Sequence, residues 1–412
     1  MGIKKLNSFL NKKNLYKNYT YLTDLINDLN IDKNKLFIGI DGNLFCYKYT
    51  YSFDNMLIGF YNQIVKFISH GYYPFYIFDG GTLMEKEYTL LNRNKKKIST
   101  RNKIDKIDKI INESNNNIHD NEFQELLSLK KKMEKNTIKI CFTQIKKVID
   151  LLNLLNIPYL FSHGEGEYLA VLLNKYNIID IFLSDDTDPI PAGINKIMKF
   201  TNNCVSFLDV NNCLSSLNIT QKQLCDFSIL LGTDYNNFYH ELKPEQIFQL
   251  INSYPIEDIV NLTRFNSIDK NNDFTNMNDD DKKNFILQSI YKIRNIYVSS
   301  PNYERLMLID KSNVISNYNV ISNCNKSLEI FSDTVFEFFD ELLDVLKKPL
   351  ENLTITDNIN ILNLKENMIK YIKKKKYSIK NITSFIKINI PDINCDELNN
   401  IINTFTYLNT FN

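Results

Sequence analysis

Three short apolar runs, each closed by an acid, limit what this chain can fold into: KLFIGID ending at Asp41, PFYIFD ending at Asp79, and IIDIFLSDD reaching Asp186. Each is β-branched or aromatic and apolar at consecutive positions, the pattern of a strand buried on both faces of a parallel sheet. Between the first two lies Met56–Ser69, apolar at helical spacing, so strand, helix and strand read as a right-handed crossover. The pattern further predicts a helix over Ile138–Asn156, a strand over Pro158–Phe161 and a helix from Glu165 to about Tyr176. The first half of the chain is therefore expected to be α/β.

Acids at the carboxyl ends of parallel strands converge at one edge of the sheet, where open α/β folds place their sites. Asp41, Asp79, Asp186 and Asp188 are such acids. Glu165 and Glu167 open a helix, where the dipole favours negative charge. Gly164 and Gly166 give the backbone the freedom to turn both glutamates to one side. Of only 11 glycines, Gly39, Gly42, Gly80, Gly81, Gly164, Gly166 and Gly232 lie within two residues of one of seven acids, the seventh being Asp234. Taken singly, each acid has an ordinary explanation as a cap or turn former. Together they would repel one another until some were protonated, unless divalent cations neutralised them. Oxygen ligands with no Cys or His among them select Mg²⁺ or Mn²⁺ over zinc. Two such ions would serve phosphodiester chemistry.

Residues 82–136 interrupt the α/β pattern with a polar, helix-permissive stretch too long for an ordinary connection. Between Lys86 and Lys109 nine basic residues stand against three acids, in a chain whose net charge is only +1. Local asymmetry of this kind, beginning just after a strand-end acid, is what a phosphate-facing surface requires. Beyond Leu217 the pattern turns helical, and a polar spacer at Asp269–Lys283 marks a boundary. Its D-K-N-N-D run has Phe274 where a calcium loop needs glycine. The expected organisation is a nuclease-like core over 1–235 carrying the insertion, a helical region over 220–300, and a mixed C-terminal region over 300–412 with a basic run at Lys373–Lys376.

The 7 Cys occur singly with no C-x-x-C pair, so neither a disulfide framework nor a zinc site is legible. The opening MGIKKLNSFL lacks the apolar core of a signal peptide, and Leu6 stands where a myristoylation motif wants Ser or Thr. No run is long enough to span a membrane. A soluble, intracellular protein is the expectation.

At these residues the chain resembles the flap-endonuclease/XPG family of structure-specific nucleases. The matching pieces, in order, are MGIKKL, IGIDGNLFCYKY, PFYIFDGG, HGEGEYLAVLLNK, SDDTDPIPAG and LLGTDY, spread over roughly residues 1–250. The resemblance implies a PIN-like parallel sheet flanked by helices, a helical arch formed by the insertion, and a two-metal site. Asp41, Asp79, Glu165 and Glu167 would hold one Mg²⁺. Asp186, Asp188 and Asp234, with Glu167, would hold the second, Mn²⁺ being a substitute. Asp185 is set aside by the family spacing.

The same resemblance puts Lys86 and Arg93 at the base of the arch, against the scissile phosphate. It makes Tyr47 an aromatic that stacks on a terminal base, and brings Gly2 near the active site. Lys95, Lys96, Lys97 and Arg101 are the candidate DNA-contacting cations of the arch. The expected activity is a 5′ nuclease on branched or 5′-ended DNA, in replication, recombination or repair. A 5′-exoribonuclease and a catalytically idle junction-binding scaffold are the alternatives.

In one place the chain departs from the family pattern. Glu241 and Lys243 fall where a glycine-containing hairpin would grip duplex DNA with a potassium ion. A backbone nest needs those glycines, so the helix-turn-helix module is expected to be degenerate and its potassium site absent. No sliding-clamp motif is legible, and residues 300–412 are left as a surface for replication proteins. These departures and the Asn-rich composition resemble the branch carried by poxviruses and other large cytoplasmic DNA viruses, which would place the protein in the host cytoplasm.

Overall fold

A computed structural model of the chain describes residues 2–32, 35–53, 55–80, 86–113, 120–162, 164–201, 204–267, 277–299, 339–374 and 378–411. Several sequence readings lie outside them: Gly81 and the first residues of the insertion, the calcium-like run at 269–273, residues 300–338, and part of the Lys373–Lys376 run.

Seven strands make one sheet: β1 (Lys17–Tyr19), β2 (Phe37–Asp41), β3 (Tyr73–Phe78), β4 (Tyr159–Phe161), β5 (Ile181–Leu183), β6 (Lys196–Phe200) and β7 (Val205–Asp209). Their order is β1-β7-β6-β5-β2-β3-β4. From β4 through β6 every pairing is parallel, whereas β7 and β1 run antiparallel at one side. β2 lies at the centre, with Ile40 beside Leu183 and Asp41 beside Ile77. That register brings the chain segments that follow β2, β3 and β5 out at a common edge.

The apolar runs are apolar throughout because each strand feeds two cores. Phe37, Phe75 and Ile77 join the cluster on one side of the sheet. Ile38, Ile40, Tyr76 and Phe78 join the cluster on the other. Successive strand residues point to opposite faces, so no polar position is tolerated between them. The strands β1, β6 and β7 escaped the sequence reading because they lack this signature. β6, KIMKF, is buried only at its second and third residues, and β1 is mostly exposed.

The insertion forms two helices, Glu87–Glu113 and Asp120–Thr137. They are joined by an ion pair from Lys130 to Asp108 at 2.5 Å and tied back by Lys135 Nζ donating to the Tyr51 carbonyl at 2.6 Å. After Asp234 the chain turns through β8 (Phe238–Tyr239) into the helix Pro244–Ser253, and β8 pairs with β9 (Asn266–Ser267). Among the described residues, none between 233 and 267 has a positive φ. His240 holds the turn instead: its Nδ1 accepts from the Leu242 N–H at 3.1 Å, so Nε2 carries the proton and donates to the Leu230 carbonyl at 2.8 Å.

The C-terminal helices Phe339–Leu346, Ile355–Lys374, Ile379–Asn389 and Cys395–Phe411 extend both cores. Ile361, Leu364, Met368 and Ile372 join one, and Ile382, Ile386, Ile390 and Ile401 join the other. Lys365 fastens the longest of these helices to the sheet. Its ammonium, 7% exposed as a residue, donates to both Asp180 oxygens at 2.9 and 3.0 Å and to the Asn177 carbonyl at 3.2 Å. Asp180 in turn accepts from the Phe37 N–H at the start of β2 at 2.8 Å. No helix among the described residues is long and apolar enough to cross a membrane.

Removing one partner of such a pair leaves a desolvated charge behind. Lys365→Ala should therefore lower unfolding stability by about 3 kcal/mol in urea titrations.

Candidate metal centre and its basic flank

The site is assembled from the ends of regular elements. Asp41 closes β2 and caps the helix Gly42–Ser52, its Oδ1 accepting from the Leu44 N–H at 2.9 Å. Asp79 follows β3 and accepts from the Gly166 N–H at 2.7 Å. A side chain at position 166 would bring its Cβ within 3.1 Å of that carboxylate, so only glycine lets the helix Gly166–Lys175 start this close. Glu165 caps the helix and Glu167 lies in its first turn. Asp186 and Asp188 follow β5, where the Asp186 Oδ1 accepts from the backbone N–H groups of Thr187 and Asp188 at 2.6 and 3.2 Å. Asp234 comes just after the helix Gln221–Leu231.

Glu167, Asp186 and Asp188 form the tightest group: one carboxylate oxygen from each lies within 4.8 Å of the others. Two oxygens in it, Glu167 Oε2 and Asp188 Oδ2, are buried without a hydrogen-bond partner. Buried polar atoms are seldom left so, and a divalent cation satisfies both. The donor set is all oxygen and all carboxylate, the chemistry that fits Mg²⁺.

Charge crowding registers in the acids themselves. Burial pushes the Asp41 carboxyl up to about 6, against the hydrogen bonds from Leu44 and Ser184. Burial, with Glu165 and Asp41 nearby, pushes Asp79 up to about 7. Burial and Asp186 take Asp188 to about 7. Burial, then Asp186 and Asp188, hold Glu167 well above the usual carboxylate range.

Lys86 and Arg93 answer this charge from the start of the arch. Lys86 is 8% exposed and ion-paired with Glu165, its Nζ also 3.7 Å from Asp188 Oδ2 and 5.1 Å from the centre of the Tyr235 ring. Burial works against its charge, but Glu165, Asp188 and Glu167 outweigh that and hold its pKa well above the usual lysine value. Arg93 is paired with Asp234, and Thr89 donates to the Asp234 carbonyl at 2.6 Å. Of the other arch cations, Lys95, Lys96 and Arg101 are exposed, whereas Lys97 donates to the Ile138 carbonyl at 3.1 Å.

Other candidates occupy defined places. Asp185 pairs with Lys48 at 2.7 Å and takes no part in the tight acidic group. Tyr47 is half-buried, hydrogen-bonded to the Ile140 backbone, with its ring 6.5 Å from that of Tyr51. Gly2, at φ 79°, lies against Asp186, and a Cβ there would collide with the Asp186 carboxylate and the Thr187 hydroxyl. The adjacent Ile3 N–H donates to Thr187 Oγ1 at 2.8 Å.

Sequence reasoning missed Ser184, Thr187 and Tyr297. Ser184 is 2% exposed; its hydroxyl donates to Asp41 Oδ2 at 2.9 Å and accepts from the Asp186 N–H at 3.1 Å, joining the ends of two strands. A buried hydroxyl directly after an apolar strand and directly before acids was the available signal.

The XPG I-region family model matches residues 156–234, the stretch that carries Glu165, Glu167, Asp186, Asp188 and Asp234. Over that stretch the chain carries an XPG I-region, and it is similar to flap endonucleases and RAD2-like endonucleases. A probable RAD2-like endonuclease of Invertebrate iridescent virus 6 is 24% identical over 301 residues, covering 61% of this chain and 71% of that protein. Flap endonuclease 1 of Saccharolobus solfataricus is 25% identical over 214 residues, 48% of this chain and 57% of that protein. Flap endonuclease 1 of Enterocytozoon bieneusi is 24% identical, and the match spans 56% of its length. The match thus spans little more than half of each of these two relatives. Among solved structures, the catalytic core of Rad2 in complex with DNA substrate shares 17% identity and a TM-score of 0.50, over 98% of this chain and 100% of that one. That likeness describes the XPG-type fold.

Two outcomes follow from the geometry. Gly2→Ala should displace Asp186 and lower nuclease turnover on the order of 10–100-fold in steady-state assays, with the thermal midpoint nearly unchanged. The raised folded values of Asp41, Asp79 and Asp188 mean that the folded protein holds protons the unfolded chain would release above about pH 4. The stability these groups contribute is full below that pH and is lost as pH rises through 6 to 7. In EDTA the melting temperature should fall from about pH 5 to about pH 8, and added Mg²⁺ should flatten that decline.

Proposed function

We propose that this protein is a Mg²⁺-dependent, structure-specific 5′ nuclease that hydrolyses phosphodiester bonds of branched or 5′-ended DNA. The observation that carries the reading is the tight group of Glu167, Asp186 and Asp188, in which two buried carboxylate oxygens receive no hydrogen bond. Asp41, Asp79, Glu165 and Glu167 would hold one ion, and Asp186, Asp188 and Asp234, with Glu167, the other. Two Mg²⁺ ions, when bound, supply charge stabilisation for in-line displacement at phosphorus.

The chain's own residues prepare the rest. The hydrogen bonds from Leu44, Ser184 and Gly166 fix the carboxylates of Asp41 and Asp79 in advance, so their orientation costs nothing at the moment of reaction. Lys86 and Arg93 neutralise Glu165 and Asp234. Where Glu165 and Asp234 hold a cation instead, the Lys86 ammonium and the Arg93 guanidinium would be available to phosphate oxygens carrying the developing charge. Exposed Lys95, Lys96 and Arg101 continue the positive flank along the arch helix and would contact successive phosphates. Such contacts make binding fall steeply with salt. Tyr47, beside the strand-end acids on the helix Gly42–Ser52, supplies an aromatic surface for a terminal base. Relatives named flap endonuclease 1 and RAD2-like endonuclease support the choice of DNA as substrate.

The test is cleavage of labelled flap, nicked, four-way and single-stranded substrates by the full chain in Mg²⁺. Asp186→Ala should abolish cleavage, by at least about 1000-fold, while leaving junction binding in Ca²⁺ intact by gel shift. A folded wild-type protein that binds junctions and cuts none of the panel in Mg²⁺ or Mn²⁺ would overturn the reading.

A further inference from the structure

The helix Asp279–Ser299 lies beyond every motif of the site and beyond the residues matched by the XPG I-region, yet it reaches the acids. Tyr297, in its last turn, is 0% exposed, and its hydroxyl donates to Asp188 Oδ1 at 3.3 Å. Among the described residues that is the one hydrogen bond received by the Asp188 carboxylate. Its other oxygen, Oδ2, has no hydrogen-bond partner and lies 3.7 Å from Lys86 Nζ.

The tyrosine is held in place from three directions. Its ring meets the rings of Tyr168 and Tyr235 edge-on, at 6.3 and 5.8 Å between centres, and those two share a hydrogen bond of 2.7 Å. One turn earlier, Arg294 Nε donates to Asp226 Oδ1 at 2.7 Å, and Asp226 is 5% exposed on the helix that leads to Asp234. Ile286, Ile290 and Ile293 are buried on the same face of the helix as Tyr297, with Ile296 buried beside it. The hydroxyl therefore has little freedom to leave its carboxylate.

We propose that Tyr297 is a positioning residue of the metal centre: by holding Asp188 Oδ1 it turns Oδ2 toward the position of a divalent ion, so that the helix Asp279–Ser299 sets metal affinity. The proposal rests on the reading of Asp188 as a metal ligand. A carboxylate ligated through one oxygen needs its other oxygen oriented, and hydrogen bonds to ligating groups commonly govern affinity by 10–100-fold. Tyrosine suits the place because its ring fills the core while its hydroxyl meets the acid.

The experiment compares wild type, Tyr297→Phe, Asp188→Asn and Val298→Ala, the last at an exposed neighbouring position. Mn²⁺ binding to the full chain without DNA is followed by electron paramagnetic resonance, and the Mg²⁺ dependence of cleavage is measured alongside. Tyr297→Phe is expected to weaken Mn²⁺ binding about tenfold and to raise the Mg²⁺ needed for half-maximal cleavage by a similar factor. Turnover should be largely recovered at saturating Mg²⁺, and the melting temperature in EDTA should match wild type. Val298→Ala should behave as wild type in both assays. If Tyr297→Phe binds Mn²⁺ like wild type while Asp188→Asn does not, the tyrosine is only a core side chain and the proposal falls. If Asp188→Asn also binds normally, Asp188 is no ligand, and the underlying reading falls with it. A Tyr297→Phe defect that saturating Mg²⁺ leaves unrelieved would likewise overturn the proposal, since a purely structural lesion behaves that way.

Discussion

Repulsion among carboxylates at one end of a parallel sheet is the constraint to which the rest of this structure answers. The fold itself produces the crowding. Parallel pairing of β2 with β3 and β5 delivers the residues after each strand to the same edge, and acids stand there. A pair of unit charges at about 4 Å in a protein interior repels by several kcal/mol, so the arrangement persists only with compensation. Part comes from fixed donors: the N–H groups of Leu44, Gly166, Thr187 and Asp188 and the hydroxyls of Ser184 and Tyr297. Part comes from Lys86 and Arg93. What remains without a hydrogen bond is one buried oxygen each of Glu167 and Asp188, within the tight group they form with Asp186.

Holding these acids in place requires a frame stiffer than seven short strands, and the C-terminal helices supply it. They add Ile361, Leu364, Met368 and Ile372 to one core and Ile382, Ile386, Ile390 and Ile401 to the other. Both sides of the sheet are thereby loaded. Lys365 couples this outer layer to the base of β2 and β5 through Asp180. That base is the end of the sheet opposite the acids, so the strands are anchored at one end and carry charge at the other. Residues 339–411 thus belong to the structural support of the centre as much as to any outward surface.

Much of the centre was legible in the sequence because its signals are local. An apolar run that ends abruptly in acid marks both a doubly buried strand and the edge where it stops, which is why Asp41, Asp79 and Asp186 could be placed from the pattern alone. Gly166 was legible for a similar reason: a glycine between two acids in a glycine-poor chain needs a close approach, and that approach is to Asp79. What was not legible depends on distance along the chain. The hydroxyl of Ser184 gains meaning only from Asp41, 143 positions earlier, and Tyr297 only from Asp188, 109 positions earlier. In a chain with 24 Tyr, no local pattern separates that one from the rest. The strands β6 and β7 were missed because KIMKF and VSFLD mix polar with apolar residues and pair antiparallel, an arrangement that does not require the unbroken apolar run.

Lys86 shows why the arch and the acids form one chemical unit rather than neighbouring features. An ammonium this deeply buried is tolerated only because carboxylates surround it, and Glu165 is relieved of its own burial by the same contact. Whatever neutralises Glu165 by another route takes from Lys86 its nearest compensating charge. A second anion is the only partner that restores the balance. Under the proposed function, that anion would be the phosphate entering with the substrate. About two turns farther along the chain, Arg93, exposed on the helix Glu87–Glu113, pairs with Asp234. The basic insertion thus starts where it does because its first cations complete the charge balance of the acids, and its exposed cations extend the same positive field outward.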